Sequence, residues 1–270
     1  MKQEITDRHG RGFPRRHERR PTAGPAASAR PPVPPLTYLP LGERPLGRLC
    51  RLFTGLALYG FSLSLMLRAS LGVNPWSVLY EGLGHHVPLS FGTISAAVGA
   101  LVLLLWIPLR QRPTFGTFAN IAVLATSSDL GLWLVPANLG LPGRIGLLAG
   151  GVLLNGFAMA LYVGARFGPG PRDGLMTGTA AVTGRSIRLV RTLIELTVLT
   201  AGWLLGGRAG AGTVLYALAV GPVAQFFLPW FAYRADDRPA RSPAARKDGK
   251  SGEDGEDGEG YRRRAGAPTG

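Results

Sequence analysis

Displaced by 96 positions, the sequence lies on itself without a gap, and this internal repeat constrains the fold more than any other feature. Over the 70 positions from Arg48 to Thr117 there are 19 identities, where composition alone would give roughly 7; a fixed period of this kind marks a duplicated unit. The matches include break points: Gly72, Pro75, Leu79 and Gly82 fall on Gly168, Pro171, Leu175 and Gly178. Gly55, Gly60, Phe61, Ser90 and Gly116 fall on Gly151, Gly156, Phe157, Ser186 and Gly212.

Each copy carries three apolar runs. Residues 49–71, 91–109 and 115–135 form the first set and 145–165, 187–205 and 211–231 the second; at 1.5 Å per residue such helices span a hydrocarbon core of about 30 Å. Between the first two runs of each copy the chain breaks and restarts. Asn74 can cap and Pro75 can open a short helix to about Gly84, and Pro171 can open another to about Val182. Three crossings per copy is an odd number, so the second copy enters the membrane in the opposite sense. The chain is therefore expected to be an all-α, polytopic membrane protein with six transmembrane helices arranged as two inverted three-helix repeats, 48–135 and 144–231. Five spans result if one run lies in the interface, which puts one basic tail on the outer side.

Charge is segregated along the chain. Of the 30 Lys and Arg and 16 Asp and Glu, 18 and 12 lie in the ends, residues 1–47 and 234–270, which lack hydrophobic periodicity and read as disordered tails: Arg/Pro-rich at the start, Gly/Glu/Asp-rich with Arg262, Arg263 and Arg264 at the finish. A nucleic-acid partner would need a folded basic surface, which the oily middle does not offer. The lipid bilayer is the expected partner. Counting Arg and Lys alone, Arg110, Arg112, Arg166, Arg172, Arg185, Arg188 and Arg191 fall on the side of the two tails, and only Arg144 and Arg208 in the opposite loops. The positive-inside rule then places both termini in the cytoplasm. The lone Cys50 excludes an internal disulfide or a cysteine metal site, and no cleavable signal is visible before the first span.

Three stretches carry a resemblance: Gly72-x-x-Pro75-Trp76 after the first span, Gly168-Pro169-Gly170-Pro171-Arg172-Asp173-Gly174-Leu175 after the fourth, and Arg185 to Arg191 opening the fifth. With them the chain resembles the YczE/YyaS/YitT-type bacterial integral membrane proteins, over about residues 48–232. The resemblance implies a multi-pass protein of the bacterial plasma membrane whose biochemical activity is not established. It transfers no catalytic residue.

The candidate site comes from where the copies differ. Arg172, Asp173, Arg188, Arg191 and Glu195 stand where the first copy has Trp76, Ser77, Gly92, Ser95 and Gly99. Charges near a bilayer centre are expensive, so several retained together need partners or a role. An anionic small molecule is the expected ligand, with Glu195, one turn after Arg191, holding it as an ion pair. Asn120 and Asn155 read as interhelical hydrogen-bond partners, and Asp129 as hydrated near the outer interface. Adjacent His85 and His86 cannot both ligate one metal as an i, i+4 pair would. There is no nucleophile with a base, no paired carboxylates, no phosphate-binding loop and no zinc spacing, so no enzyme activity, cofactor or metal is expected. A small-molecule or ion transporter and a non-transporting regulatory or scaffold protein are the two functional classes left. The oligomeric state is open.

Overall fold

The computed structural model describes residues 38–39 and 45–233, and within these the chain is all helix. Eight helices follow in order: α1 (Pro45–Ala69), α2 (Pro75–Gly84), α3 (Phe91–Trp106), α4 (Phe115–Leu134), α5 (Leu141–Gly164), α6 (Pro171–Thr183), α7 (Ile187–Leu204) and α8 (Ala211–Phe231). The tails read from sequence at 1–47 and 234–270 lie almost wholly outside the described residues.

Most boundaries follow local signals. Asn74 accepts from Ser77 N at 2.9 Å, Ser90 from Thr93 N at 3.1 Å and Ser186 from Leu189 N at 3.3 Å, each hydroxyl or amide oxygen satisfying a free first-turn N–H. Pro75 and Pro171 sit at the start of their helices. Two starts come earlier than the apolar runs predict. Helix α1 begins at Pro45 rather than near residue 49, and α5 at Leu141 rather than Ile145, because proline is tolerated in a first turn, where its missing N–H costs nothing.

The centre is an antiparallel pair made of equivalent helices. Gly55 of α1 lies against Tyr162 of α5, where a Cβ would stand 2.7 Å from Tyr162 N, and Gly151 lies against Met66, with 2.7 Å to Met66 Cγ. Each contact is the other displaced by 96 positions. The ends are latched in the same way: Arg48 donates from Nε to Ala165 O at 3.1 Å and from Nη2 to Arg166 O at 3.1 Å, while Arg144 donates from Nε to Ala69 O at 2.6 Å and from Nη2 to Ser70 O at 2.8 Å. Each arginine, at the start of one helix, thus satisfies carbonyls left free at the end of its mate.

The remaining packing repeats this correspondence. Helix α4 packs on α1 as α8 does on α5, α7 on α2 as α3 on α6, and α3 on α2 as α7 on α6. Left-handed backbone recurs at the same interval: φ is 51° at Ser70 and 58° at Arg166, 111° at Gly72 and 103° at Gly168, 52° at Arg110 and 92° at Gly206. One pairing breaks the pattern, for α3 packs on α4 while no comparable contact joins α7 and α8.

Three helices are long and apolar enough to cross a membrane by length and composition: Pro45–Ala69, Leu141–Gly164 and Ala211–Phe231, with mean hydropathy 1.4, 1.7 and 1.6. The six expected spans are not all of this quality. Helix α3 has only 16 residues, α4 holds Asn120 and Asp129, and α7 holds Arg188, Arg191 and Glu195. Apart from Arg188, Arg191 and Gln225 on α7 and α8, the outward faces are largely apolar: Leu101, Leu104, Phe118, Trp133, Leu196, Trp203, Leu218 and Trp230 are all exposed, a surface a water-soluble chain of this size rarely shows.

Candidate functional site

The segments after α1 and α5 both turn back towards the middle. Gly72 approaches Thr213 at the start of α8, and Gly168 approaches Thr114 at the start of α4, so the two short helices set out from opposite ends of the α1/α5 pair. Their first turns meet. The Arg172 guanidinium carbon lies 5.2 Å from the ring centroid of Trp76 and 5.2 Å from that of Tyr80, within range of a cation–π attraction that desolvation strengthens.

Around this junction lies a cavity of about 60 Å³, room for about two waters at the roughly 30 Å³ each takes in the liquid. Its polar lining includes Tyr59, Asn120, Arg172, Asp173, Arg191 and Glu195. Tyr162 donates to Asp173 Oδ2 at 3.3 Å, and the Arg191 Nε to Glu195 Oε1 bond is 2.9 Å. From the lining, Tyr216 donates to Asn155 Oδ1 at 3.1 Å, and Asn155 Nδ2 donates to Ser62 Oγ at 2.7 Å. That chain ties α8, α5 and α1 together. Trp76, 5% exposed, also lines the cavity, and its indole N–H is buried without a partner. Such a donor is costly to leave unmade.

Four of the five residues singled out by sequence, Arg172, Asp173, Arg191 and Glu195, come together on the cavity wall. Arg188 does not; it is exposed one turn before Arg191. Asn155 bridges helices as read, and Glu195 pairs with Arg191. Asp129, read as hydrated, is partly exposed and also joins α4 to the start of α3, accepting from Gly92 N at 2.7 Å and Ser90 Oγ at 2.5 Å. His86 Nε2 lies 3.2 Å from Leu205 O, and no group of three metal-ligating side chains occurs among the described residues. The tyrosines Tyr59, Tyr162 and Tyr216 were missed, since none aligns with a tyrosine in the other copy; only their position opposite the proline breaks in three dimensions identifies them.

Helices with apolar outer faces enclosing a polar, aromatic-lined centre define an all-helical membrane protein. The chain belongs to a family of unknown function, DUF6198, whose model matches residues 46–229. It is 38% identical over 177 residues to an uncharacterized protein of Haemophilus influenzae, covering 66% of this chain and 81% of that one. It is 34% identical over 197 residues to the uncharacterized membrane protein YczE of Bacillus subtilis, covering 72% and 92%, and 25% identical over 179 residues to YyaS of the same organism, covering 65% and 89%. No solved structure matches.

Proposed function

We propose that this is a small-molecule transporter of the alternating-access kind, with six spans in two inverted repeats and its site where α2 and α6 meet. The observation that carries the reading is the Arg172 junction: two broken segments, from equivalent places in the two halves, converge on a polar cavity beside the axis that relates them. Discontinuous helices at a repeat interface are where such transporters hold their substrates, and irregular backbone at membrane depth is tolerated where it lines a cavity. The antiparallel run of α1 and α5 supports inversion. Arg48 and Tyr233 lie together, 5.5 Å from guanidinium carbon to ring centroid, which supports an even number of crossings with both ends on one side. The arginine bias makes that side the cytoplasm of a bacterial plasma membrane.

The ligand in this reading is a small anion. Arg172 and Arg191 provide charge-assisted donors, the Trp76 indole provides another, and Glu195 holds Arg191 until the ligand competes for it. The cavity is too small for most metabolites, so binding needs α2 or α6 to shift. In proteoliposomes, Arg172→Ala is expected to lower anion binding or uptake at least about tenfold, a loss of about 1.4 kcal/mol, with normal insertion. Glu195→Gln is expected to raise affinity for the anion while altering its release. Unchanged binding in both inserted variants would leave the small cavity as support for the alternative, a non-transporting scaffold or regulatory protein.

A further inference from the structure

We infer that the gap between α7 and α8 is a side entrance from the lipid to the central cavity, and that it takes a single-chain amphiphile with an anionic head. This rests on the transporter reading and adds the class of ligand to it.

The internal repeat supplies the comparison. In the first half α3 and α4 close on each other: a Cβ on Gly92 would stand 2.2 Å from Ala125 O, and one on Gly99 would stand 3.2 Å from Ile121 Cγ1. Asp129 then locks the two helices through Gly92 N and Ser90 Oγ. At the equivalent places in the second half stand Arg188 for Gly92, Arg191 for Ser95, Glu195 for Gly99 and Gln225 for Asp129. The close-packing glycines have become long charged side chains and the lock is gone. Gly92, Ser95, Gly99 and Ala125 are buried, whereas Arg188, Ala217 and Gln225 are exposed. A Cβ on Gly221, the counterpart of Ala125, would meet nothing within 4 Å.

The gap reaches the cavity. Arg191 and Glu195 line it, yet their side chains remain 51% and 30% exposed. Beyond them neither wall carries a charge, from Leu196 to Leu205 on one side and through all of α8 on the other. One end of the slot is therefore cationic, with Arg172, Arg188 and Arg191 against Asp173 and Glu195, and the rest is apolar. A carboxylate or phosphate head on the arginines with its chain between α7 and α8 satisfies both parts, and gives charges otherwise open to lipid a partner. A second copy fits less well, because a two-fold contact would set the same arginine rim against itself.

The test uses the full chain in neutral phosphatidylcholine nanodiscs. The probes are a diazirine-bearing palmitate and a diazirine-bearing lysophosphatidate, with butyrate and glycerol phosphate as tail-less anions and hexadecanol as an uncharged chain. Labelling is expected on α7 and α8 peptides, unaffected by hexadecanol, and the stronger of the two long probes identifies the head chemistry. Gly221→Trp fills the slot where nothing stands and leaves every charge in place. It is expected to cut photolabelling at least about tenfold, about 1.4 kcal/mol, while tail-less anions still bind and Arg172→Ala weakens both. Labelling unchanged by Gly221→Trp would overturn the entrance and leave the anion site standing; failure of every anion to bind would overturn both. Efficient disulfide-linked dimers from Gly221→Cys in a Cys50→Ser background would make the slot a subunit interface and also overturn the inference.

Discussion

Replacing Gly60 by leucine is expected to stop the folded protein from accumulating in the membrane. A Cβ there would stand 2.0 Å from Ser127 Oγ and 2.7 Å from Leu124 O. The serine can rotate away, but the carbonyl belongs to the α4 backbone, so α1 and α4 must separate along their whole contact. Overpacking costs about 1–3 kcal/mol when side chains can adjust, and the rigid neighbour puts this change at or above the top of that range. The mate, Gly156, should tolerate leucine better, since its nearest atom is the Val223 Cγ1 methyl at 2.5 Å and the nearest backbone atom is 3.2 Å away. Gly150, on the same helix as Gly156, would place a Cβ with nothing within 4 Å, and its leucine variant should express as wild type. The readout is the yield of monodisperse protein in mild detergent and its thermal midpoint. Equal yields from Gly60→Leu and Gly150→Leu would show that α1 and α4 are not in backbone contact.

The second large effect is expected at Arg48. This side chain is 1% exposed, donates to Ala165 O, Arg166 O and Leu39 O and lies 4.3 Å from the centroid of Phe167. Arg48→Met keeps the stem and removes the donors, leaving Ala165 O at the end of α5 without its partner in a site closed to water, while Arg166 O keeps the Leu39 N–H at 3.2 Å. Charge-assisted bonds are worth about 1.5–3 kcal/mol each and orphaned acceptors about 1–3 kcal/mol, so a loss of about 3 kcal/mol or more is expected. Its mate Arg144 is only partly buried, and water can replace some of its bonds. The thermal midpoint should therefore fall further for Arg48→Met than for Arg144→Met, and the double variant should fall furthest. The reverse order would mean that the two latches are not equivalent in the way their contacts indicate.

Much of the architecture was legible because duplication wrote it twice. The identity of the glycines at 55/151, 60/156 and 116/212 marked positions where the copies share a structural need, and each proves to be a close approach; the identity of Arg48 with Arg144 lies in the same repeat, but its role as a latch is visible only in three dimensions. Caps at Asn74, Ser90 and Ser186 were readable because their oxygens act locally, within one turn. Span quality was less legible: α3, α4 and α7 are short or carry polar residues, and run length alone cannot separate a lipid-facing helix from one sheltered by its neighbours.

The site was legible through difference rather than identity. Arg172, Asp173, Arg191 and Glu195 stood out as charges lacking a counterpart, and they do share one cavity. What the sequence could not supply was the companion set. Tyr59, Tyr162 and Tyr216 come from three helices far apart in the chain, and Trp76 enters because its ring faces Arg172 across the meeting point of α2 and α6. Arg188 was grouped with the others because it too stands where the first copy has no charge, but it is exposed one turn outside the cavity. The opening of α7 from α8 is invisible in one dimension, since it depends on whether two helices with unlike residues actually touch.

The central claim, that two halves of one fold face opposite sides of a membrane around a shared site, has one direct test. Val87, in the turn after α2, and Thr183, at the end of α6, are 96 positions apart and both exposed. Single cysteines at these places, in a Cys50→Ser background, would be challenged with a membrane-impermeant thiol reagent in intact cells and in inside-out vesicles. Val87→Cys should react from the outside only and Thr183→Cys from the cytoplasmic side only. Labelling of both cysteines from the same side would contradict the inverted arrangement and, with it, the site at the repeat interface.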